Sequence, residues 1–267
     1  MNKVVLITGA SSGIGKSIGE FLHDKGCIVY GTSRNPERIA NSVFPLLALD
    51  VRDTKSIQNT IQKIITLSGR LDVVINNAGV GITGPIEEIS SQEIKNNFET
   101  NFFGPIEVMK AALPQMRKQK SGLIINITSI AGYMGLPYRG VYSATKGALE
   151  LISEALSMEV KPFGINITNV APGDFATNIA SGRFHAPVIK DSAYEHSYGA
   201  TLKMMDEQVD SGNNPIEVAQ VIYDIIETQN PKIHYKVGSF IQKFSIVLKR
   251  ILPDKVYEKI LMNHYKL

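Results

Sequence analysis

Short apolar runs alternate with stretches of helical spacing along most of this chain, and that alternation leaves few folds open. Val4-Val5-Leu6-Ile7 is apolar at every position, as a strand buried on both faces must be. A Gly-rich turn follows, then helical spacing from Ile14 to His23 that closes near Gly26. The pairing recurs. Ile28 to Tyr30, Leu46 to Leu49, Leu71 to Ile75, Leu123 to Ile127 and Ile165 to Val170 read as further strands, with a last one near 232–237. Helical stretches stand at Ile57 to Leu67, Phe102 to Met116, 142–160 and 215–228. Strands separated by helices predict an α/β, doubly wound parallel sheet covered on both faces. No repeat, low-complexity tract or linker precedes residue 238, so 1–238 is expected to form one domain and 239–267 a C-terminal extension.

Composition narrows the class. With 267 residues, 43% hydrophobic and 20% charged, the chain can bury a full core and is not of the disordered type. The lone Cys27 has no partner for an internal disulfide, and its apolar setting, Cys27-Ile28-Val29-Tyr30, predicts a buried strand thiol. Reducing cytoplasm fits. Met1 to Ala10 is too soon interrupted by Gly9 for a signal peptide, and no apolar run reaches the ~18 residues of a membrane span. Charge is uneven: residues 232–267 carry +6, which leaves −3 on the rest.

Thr8-Gly9-Ala10-Ser11-Ser12-Gly13-Ile14-Gly15 lies at the first strand-to-helix turn. Gly9 permits the tight turn, Gly13 lets backbone approach a pyrophosphate, and Gly15 allows close packing of helix on strand. Free N–H groups and the positive dipole end of the helix then face the diphosphate. A dinucleotide site is expected here. Tyr142 and Lys146, four residues apart, share one face of a helix, one turn from each other. A cation beside a phenol favours the ionised form and makes a usable proton donor near neutral pH.

These motifs, with Asn76-Asn77-Ala78-Gly79, Asn101, Ser129 and Pro172-Gly173, occur in the order and rough spacing of the short-chain dehydrogenase/reductase family. The chain resembles the single-domain branch of that family over about residues 3–237, nearest to members acting on hydroxysteroids, retinol and lipid carbonyls. The resemblance implies a Rossmann-like, seven-stranded sheet of order 3-2-1-4-5-6-7. It implies that Ser129 orients a substrate carbonyl, that Tyr142 exchanges the proton, that Lys146 tunes Tyr142 and bonds the nicotinamide ribose, and that Asn101 holds a water linking Lys146 to solvent. It places Ser11, Ser12 and Ile14 with the glycines at the diphosphate, Asp50 and Val51 at the adenine, and Asn77, Ala78 and Gly79 under its ribose. Pro172, Gly173, Phe175 and Thr177 fall at the nicotinamide.

Strand two ends Tyr30-Gly31-Thr32-Ser33-Arg34-Asn35, with no acid to meet a ribose diol; Ser33 and Arg34 can receive a 2′-phosphate. NADP(H) is the preferred cofactor and NAD(H) the alternative. Residues 178–214 match the family's variable substrate loop and carry Phe184, His185, Tyr194, His196, Tyr198, Met204 and Met205, which suit an apolar pocket. The two histidines lack metal-ligand spacing, and no metal is expected. The tail spacing Phe240-Ile241-x-x-Phe244-x-x-Val247-Leu248-x-x-Ile251-Leu252 is amphipathic with Lys243, Lys249 and Arg250 beside the apolar face. It is expected to pack over the pocket or a second subunit, or to touch a membrane surface. Nucleic acid is not an expected partner, because the basic residues form no stacking platform; a homodimer or homotetramer is. The leading reading is an NADP(H)-dependent oxidoreductase acting on the carbonyl or secondary alcohol of a hydrophobic substrate. The alternatives are a ketoacyl reductase of fatty-acid synthesis and a non-catalytic dinucleotide sensor.

Overall fold

Seven parallel strands form the central sheet of a computed structural model that describes residues 2–175, 182–209 and 214–267. In chain order the elements are β1 (Val4–Ile7), α1 (Gly13–Asp24), β2 (Ile28–Ser33), β3 (Leu46–Ala48), α2 (Thr54–Ser68), β4 (Val73–Asn76), β5 (Ile82–Thr83), α3 (Ser91–Phe98), α4 (Gly104–Gln119), β6 (Gly122–Ile127), α5 (Gly140–Val160), β7 (Ile165–Pro172), β8 (Phe184–His185), α6 (Glu195–Val209), α7 (Ile216–Glu227), β9 (His234–Val237), α8 (Phe240–Ile251) and α9 (Asp254–Tyr265). The sheet runs β3-β2-β1-β4-β6-β7-β9, the expected order. The reversal beside β1 opens a crevice at the carboxyl ends of β1 and β4.

The apolar strands divide their side chains between two layers. Val5 and Ile7 of β1 face Ile14, Ile18 and Leu22 of α1 and Val218, Ile222 and Ile225 of α7. Val4 and Leu6 face Ile57, Ile61 and Ile64 of α2 and Val108, Met109 and Met116 of α4. Burial on both faces is why β1 has no alternation. Helix ends are set locally. The Asp53 carboxylate accepts from Lys55 N at 2.9 Å to start α2, and Gly69, at φ +69°, ends it.

Several local expectations change. Cys27 precedes β2 and is only half-buried; burial still raises its thiol pKa. The stretch expected from Phe102 begins earlier: α3 runs into a π-helical turn, Glu99–Phe103, before α4. Helix α3 was hidden because it is polar and buries little beyond Asn97. The 178–214 segment contains β8 and α6, with β8 pairing β5. Within the extension, α9 starts directly after Pro253.

Gly15 marks where α1 meets the end of β4. A Cβ there would fall on the Asn77 side-chain amide and 2.5 Å from the Gly9 carbonyl oxygen. Gly15→Ala is therefore expected to lower unfolding free energy by ~1–3 kcal/mol, as overpacking does, and to weaken dinucleotide binding. Urea denaturation and cofactor titration check this; a wild-type midpoint would show that the helix yields freely.

Candidate active site

A cleft of about 610 Å³ opens across the carboxyl ends of β1, β2 and β4. Its floor is the glycine loop, with Gly9, Ser11, Ser12, Gly13, Ile14 and Gly15 all on the lining. Gly9 and Gly13 take φ of +65° and +54°, a region costly for other residues. The loop is locked to the next strand. Thr8 Oγ1 accepts from the backbone N of Asn77 and of Ala78, each at 3.0 Å, and Asn77 Nδ2 donates to Thr8 O at 2.9 Å and Gly9 O at 3.0 Å. Asn77, Ala78 and Gly79 thereby form one wall. Ser12 sits at the N-cap of α1 with extended backbone, yet its hydroxyl caps no helix N–H. That leaves a hydroxyl and the first helix N–H groups facing the cleft, as a bound diphosphate requires.

The far wall is basic. Ser33 ends β2, Arg34 follows it, and Arg38 joins them on the lining. Asp50 and Val51 line the cleft after β3. The Asp50 carboxylate accepts from Arg52 Nε at 3.1 Å and Nη2 at 2.8 Å, which holds its pKa below the usual value. A nicotinamide dinucleotide fits this cradle: glycine turns, a free helix start, and polar and basic side chains along the far wall.

Asn101 and Lys146 stand behind the cleft wall at Gly79, and Tyr142 lies beside Lys146. Asn101 lies in the π-helical turn, a feature common at functional sites. It is fully buried; Oδ1 accepts from Val80 N at 2.8 Å, and Nδ2 donates to Val80 O at 2.8 Å and Asn97 Oδ1 at 3.1 Å. Its side chain is thus committed to the chain segment after Gly79. Lys146 is 4% exposed and donates from Nζ to Ile127 O at 2.9 Å. Burial lowers its pKa, while the negative charges of Tyr142 and Glu150 act the other way. Its Nζ lies 5.9 Å from the centre of the half-buried Tyr142 ring, and the Arg139 guanidinium lies 5.8 Å from it. A Cβ placed on Gly79 would stand 3.2 Å from Asn101 Oδ1 and 3.4 Å from Lys146 Nζ, so the cleft wall touches both. Ser129 is buried just past β6. Its Oγ accepts from Ala131 N at 3.1 Å and starts the turn Ile130–Tyr133.

Four expected nicotinamide contacts divide differently. Pro172 ends β7, and Gly173 opposes Gln242 of α8, whose amide occupies the space a Cβ would need. Phe175 is a core residue packed with Ile127 and Val170 rather than a pocket wall. Thr177 lies outside the described residues. In the substrate loop, Phe184 lines the cleft. Phe184, Tyr194, Tyr198 and Leu202 gather beside Tyr142 in a small apolar cluster. His185 Nδ1 pairs with Thr83 Oγ1 at 2.8 Å, His196 is exposed and Met205 buried. Helices α8 and α9 cover the turn after Ser129: Ile246 and Tyr257 pack on Ile130 and Met134. Tyr265 hydrogen-bonds Arg139, the neighbour of Tyr142.

Residues 3–188 match the family described as short chain dehydrogenase. The 3-ketodihydrosphingosine reductase of Bacteroides thetaiotaomicron is 41% identical over 264 residues, covering 98% of each chain. A short-chain dehydrogenase from Streptomyces avermitilis superposes with a TM-score of 0.83 at 32% identity, over 99% of this chain and 97% of that one. ElxO, solved with NADP bound, is 32% identical with a TM-score of 0.72 over 90% and 97%. A Burkholderia phymatum enzyme solved with NAD shares the fold at 23% identity, a TM-score of 0.79 and 93% of each chain, so both cofactors occur among the neighbours. The motifs, the sheet order and these matches agree: the chain belongs to the short chain dehydrogenase family of oxidoreductases.

Proposed function

We propose that this protein is an NADP(H)-dependent reductase of a long-chain carbonyl lipid, of the 3-keto sphingoid-base type. The observation that carries the reading is a phenol beside a buried ammonium that lies against the cleft wall at Gly79, with arginines and no carboxylate at the end of β2 on the far wall. The similarity to a 3-ketodihydrosphingosine reductase along almost the whole chain supports the substrate class, and the apolar cluster beside Tyr142 supports it physically. Residues 1–238 form the catalytic unit in this reading, and 239–267 the extension.

The glycine loop and the wall from Asn77 to Gly79 would hold NADPH, which would supply the hydride that the carbonyl carbon accepts. Tyr142 gives its phenolic proton to the carbonyl oxygen, and the Lys146 ammonium lowers the cost of the phenolate left behind. Ser129 Oγ holds the carbonyl oxygen, and Asn101 keeps the segment after Gly79 in place. Ser33, Arg34 and Arg38 receive the 2′-phosphate.

The extension contributes a surface. Its inner face covers the catalytic turn, while Phe240, Ile241 and Ile251 are 75%, 79% and 68% exposed, with Phe240 stacked on Phe244 at 5.6 Å. Lys243 and Arg250 flank this stripe. We infer that it rests on an anionic bilayer and brings the pocket mouth to a lipid substrate. Among the described residues no helix is long and apolar enough to cross a membrane.

Three outcomes are expected. Tyr142→Phe should bind NADPH normally and lose ~10²–10⁴-fold in kcat, because only the general acid is removed; near-normal turnover of 3-ketodihydrosphingosine would end the mechanism. Arg34→Asp should lose ten-fold or more in kcat/KM for NADPH relative to NADH, since a charge-assisted contact of ~1.5–3 kcal/mol becomes a repulsion. An unchanged ratio would show that Arg34 does not read the phosphate. The variant carrying Phe240→Ser, Ile241→Ser and Phe244→Ser changes exposed residues only. It should keep its melting temperature but lose salt-sensitive co-sedimentation with phosphatidylserine vesicles. If instead it changes a homodimer or homotetramer into a smaller species while vesicle binding is absent from both proteins, the stripe is a subunit interface.

A further inference from the structure

Glu150 is a buried carboxylate that the mechanism above does not use. It is 5% exposed, and it sits on α5 one turn after Lys146. Leaving such a charge unpaired would be costly, and the fold surrounds it with donors from four other elements. Thr128 Oγ1, between Ile127 and Ser129, donates to Oε1. Tyr133, at the end of the turn that Ser129 starts, donates to Oε2 at 3.0 Å. Asn169 Nδ2 of β7 donates to the same oxygen at 3.2 Å, and His234 Nδ1 of β9 lies 2.6 Å from it. The other nitrogen of His234 meets Glu154 Oε1 at 2.9 Å, one further turn along α5.

Two of these partners belong to the segment that carries Ser129, and the acceptor belongs to the helix that carries Tyr142 and Lys146. Close packing reinforces the joint: a Cβ on Gly132 would meet the Lys146 carbonyl carbon at 3.0 Å and Gly147 N at 3.1 Å. Lys146 itself bonds Ile127 O, one residue before Thr128. We propose that Glu150 is a positioning residue: through Thr128 and Tyr133 it fixes the register of the Tyr142–Lys146 helix against the Ser129 turn. This role does not put Glu150 in contact with substrate.

The charged and titratable groups around the carboxylate are Lys146 and Glu154 on α5, Tyr133 on the turn and His234 on β9. Lys236 lies over the Tyr133 ring at 5.1 Å, and Arg250 of α8 acts on Tyr133 from outside. Glu150→Gln keeps the size and removes the charge. A negative charge raises the pKa of every titrating neighbour, so its loss moves those neighbours to lower pH.

The inference rests on the Tyr142–Lys146 reading but not on the substrate. The experiment uses NADPH with 3-ketodihydrosphingosine and, in parallel, 2,3-butanedione as a small probe. Wild-type turnover of the small probe alone would sink the lipid reading and leave this one testable. Glu150→Gln is expected to lose roughly ten-fold or more in kcat, as small displacements of reacting groups do, with KM and NADPH affinity near wild type. The alkaline limb of its pH profile should move to lower pH. A wild-type kcat, or a loss that matches a reduced folded fraction with the limb unmoved, would overturn the proposal. If Glu150→Gln does not fold, Thr128→Val and Tyr133→Phe decide: a several-fold loss of kcat at unchanged KM and melting temperature supports it, and wild-type kcat in both overturns it.

Discussion

Lys146 is an ammonium with almost no access to water, and the architecture around it follows from that fact. Burial lowers its pKa, while Tyr142 one turn before it and Glu150 one turn after it act the other way. Its Nζ donates to the Ile127 carbonyl at 2.9 Å. The same face continues to Ser153, whose Oγ accepts from Asn126 Nδ2 at 2.8 Å. Positions 146, 150 and 153 thus form a polar seam on the buried side of the helix, and each bonds a different point on the strands beneath. An apolar helix face can slide or turn on a sheet at modest cost. A seam of paired buried polar groups cannot, because a slip leaves every member unsatisfied.

The strands answer with a seam of their own. Asn76, Asn126 and Asn169 stand in register on three adjacent central strands, all buried. Asn76 Nδ2 donates to Asn126 Oδ1 at 2.8 Å, and Asn169 reaches Glu150. Buried polar side chains at the carboxyl ends of strands run against burial preference. Here they tie β4, β6 and β7 to α5 on the side where the cleft opens, so the rigid centre of the sheet and the reacting groups share one set of hydrogen bonds.

This explains which parts were legible in the sequence. Val4 to Ile7 and Leu123 to Ile127 announce buried strands by composition; Gly9 and Gly13 announce the loop through positive φ, and Gly15 because a Cβ there would fall on Asn77. Tyr142 and Lys146 are legible through helical spacing. Asn101 was placed by its family motif, but not in a π-helical turn: an inserted residue leaves no periodic signal over five positions. Arg38 and Arg52 were missed because an arginine in a loop looks the same whether it faces solvent or a cleft. Glu150, Tyr133 and His234 are far apart in sequence, and only strand order brings them together. The Glu150 carboxylate four residues after Lys146 was the one visible trace, and i,i+4 pairs of that kind are ordinary on exposed helices.

The extension follows from the same reasoning about faces. A helix with one apolar face needs one cover, and α8 finds it in Ile130 and Met134 beside Ser129. Ser239 and Gln242 form a capping box that fixes where the helix starts, and the Gln242 side chain also donates to Asp174 Oδ2 at 2.8 Å, after β7. Its register is therefore set from the catalytic end of the sheet. With register fixed, the remaining apolar side chains are held outward: Phe240, Phe244, Val247 and Ile251 recur at the spacing of a second stripe and stay exposed. Among the described residues the inner face of α8 packs through Ile246, which leaves this stripe uncovered. In the proposed reading the stripe meets an anionic bilayer, and Lys243 and Arg250 beside it supply the complementary charge.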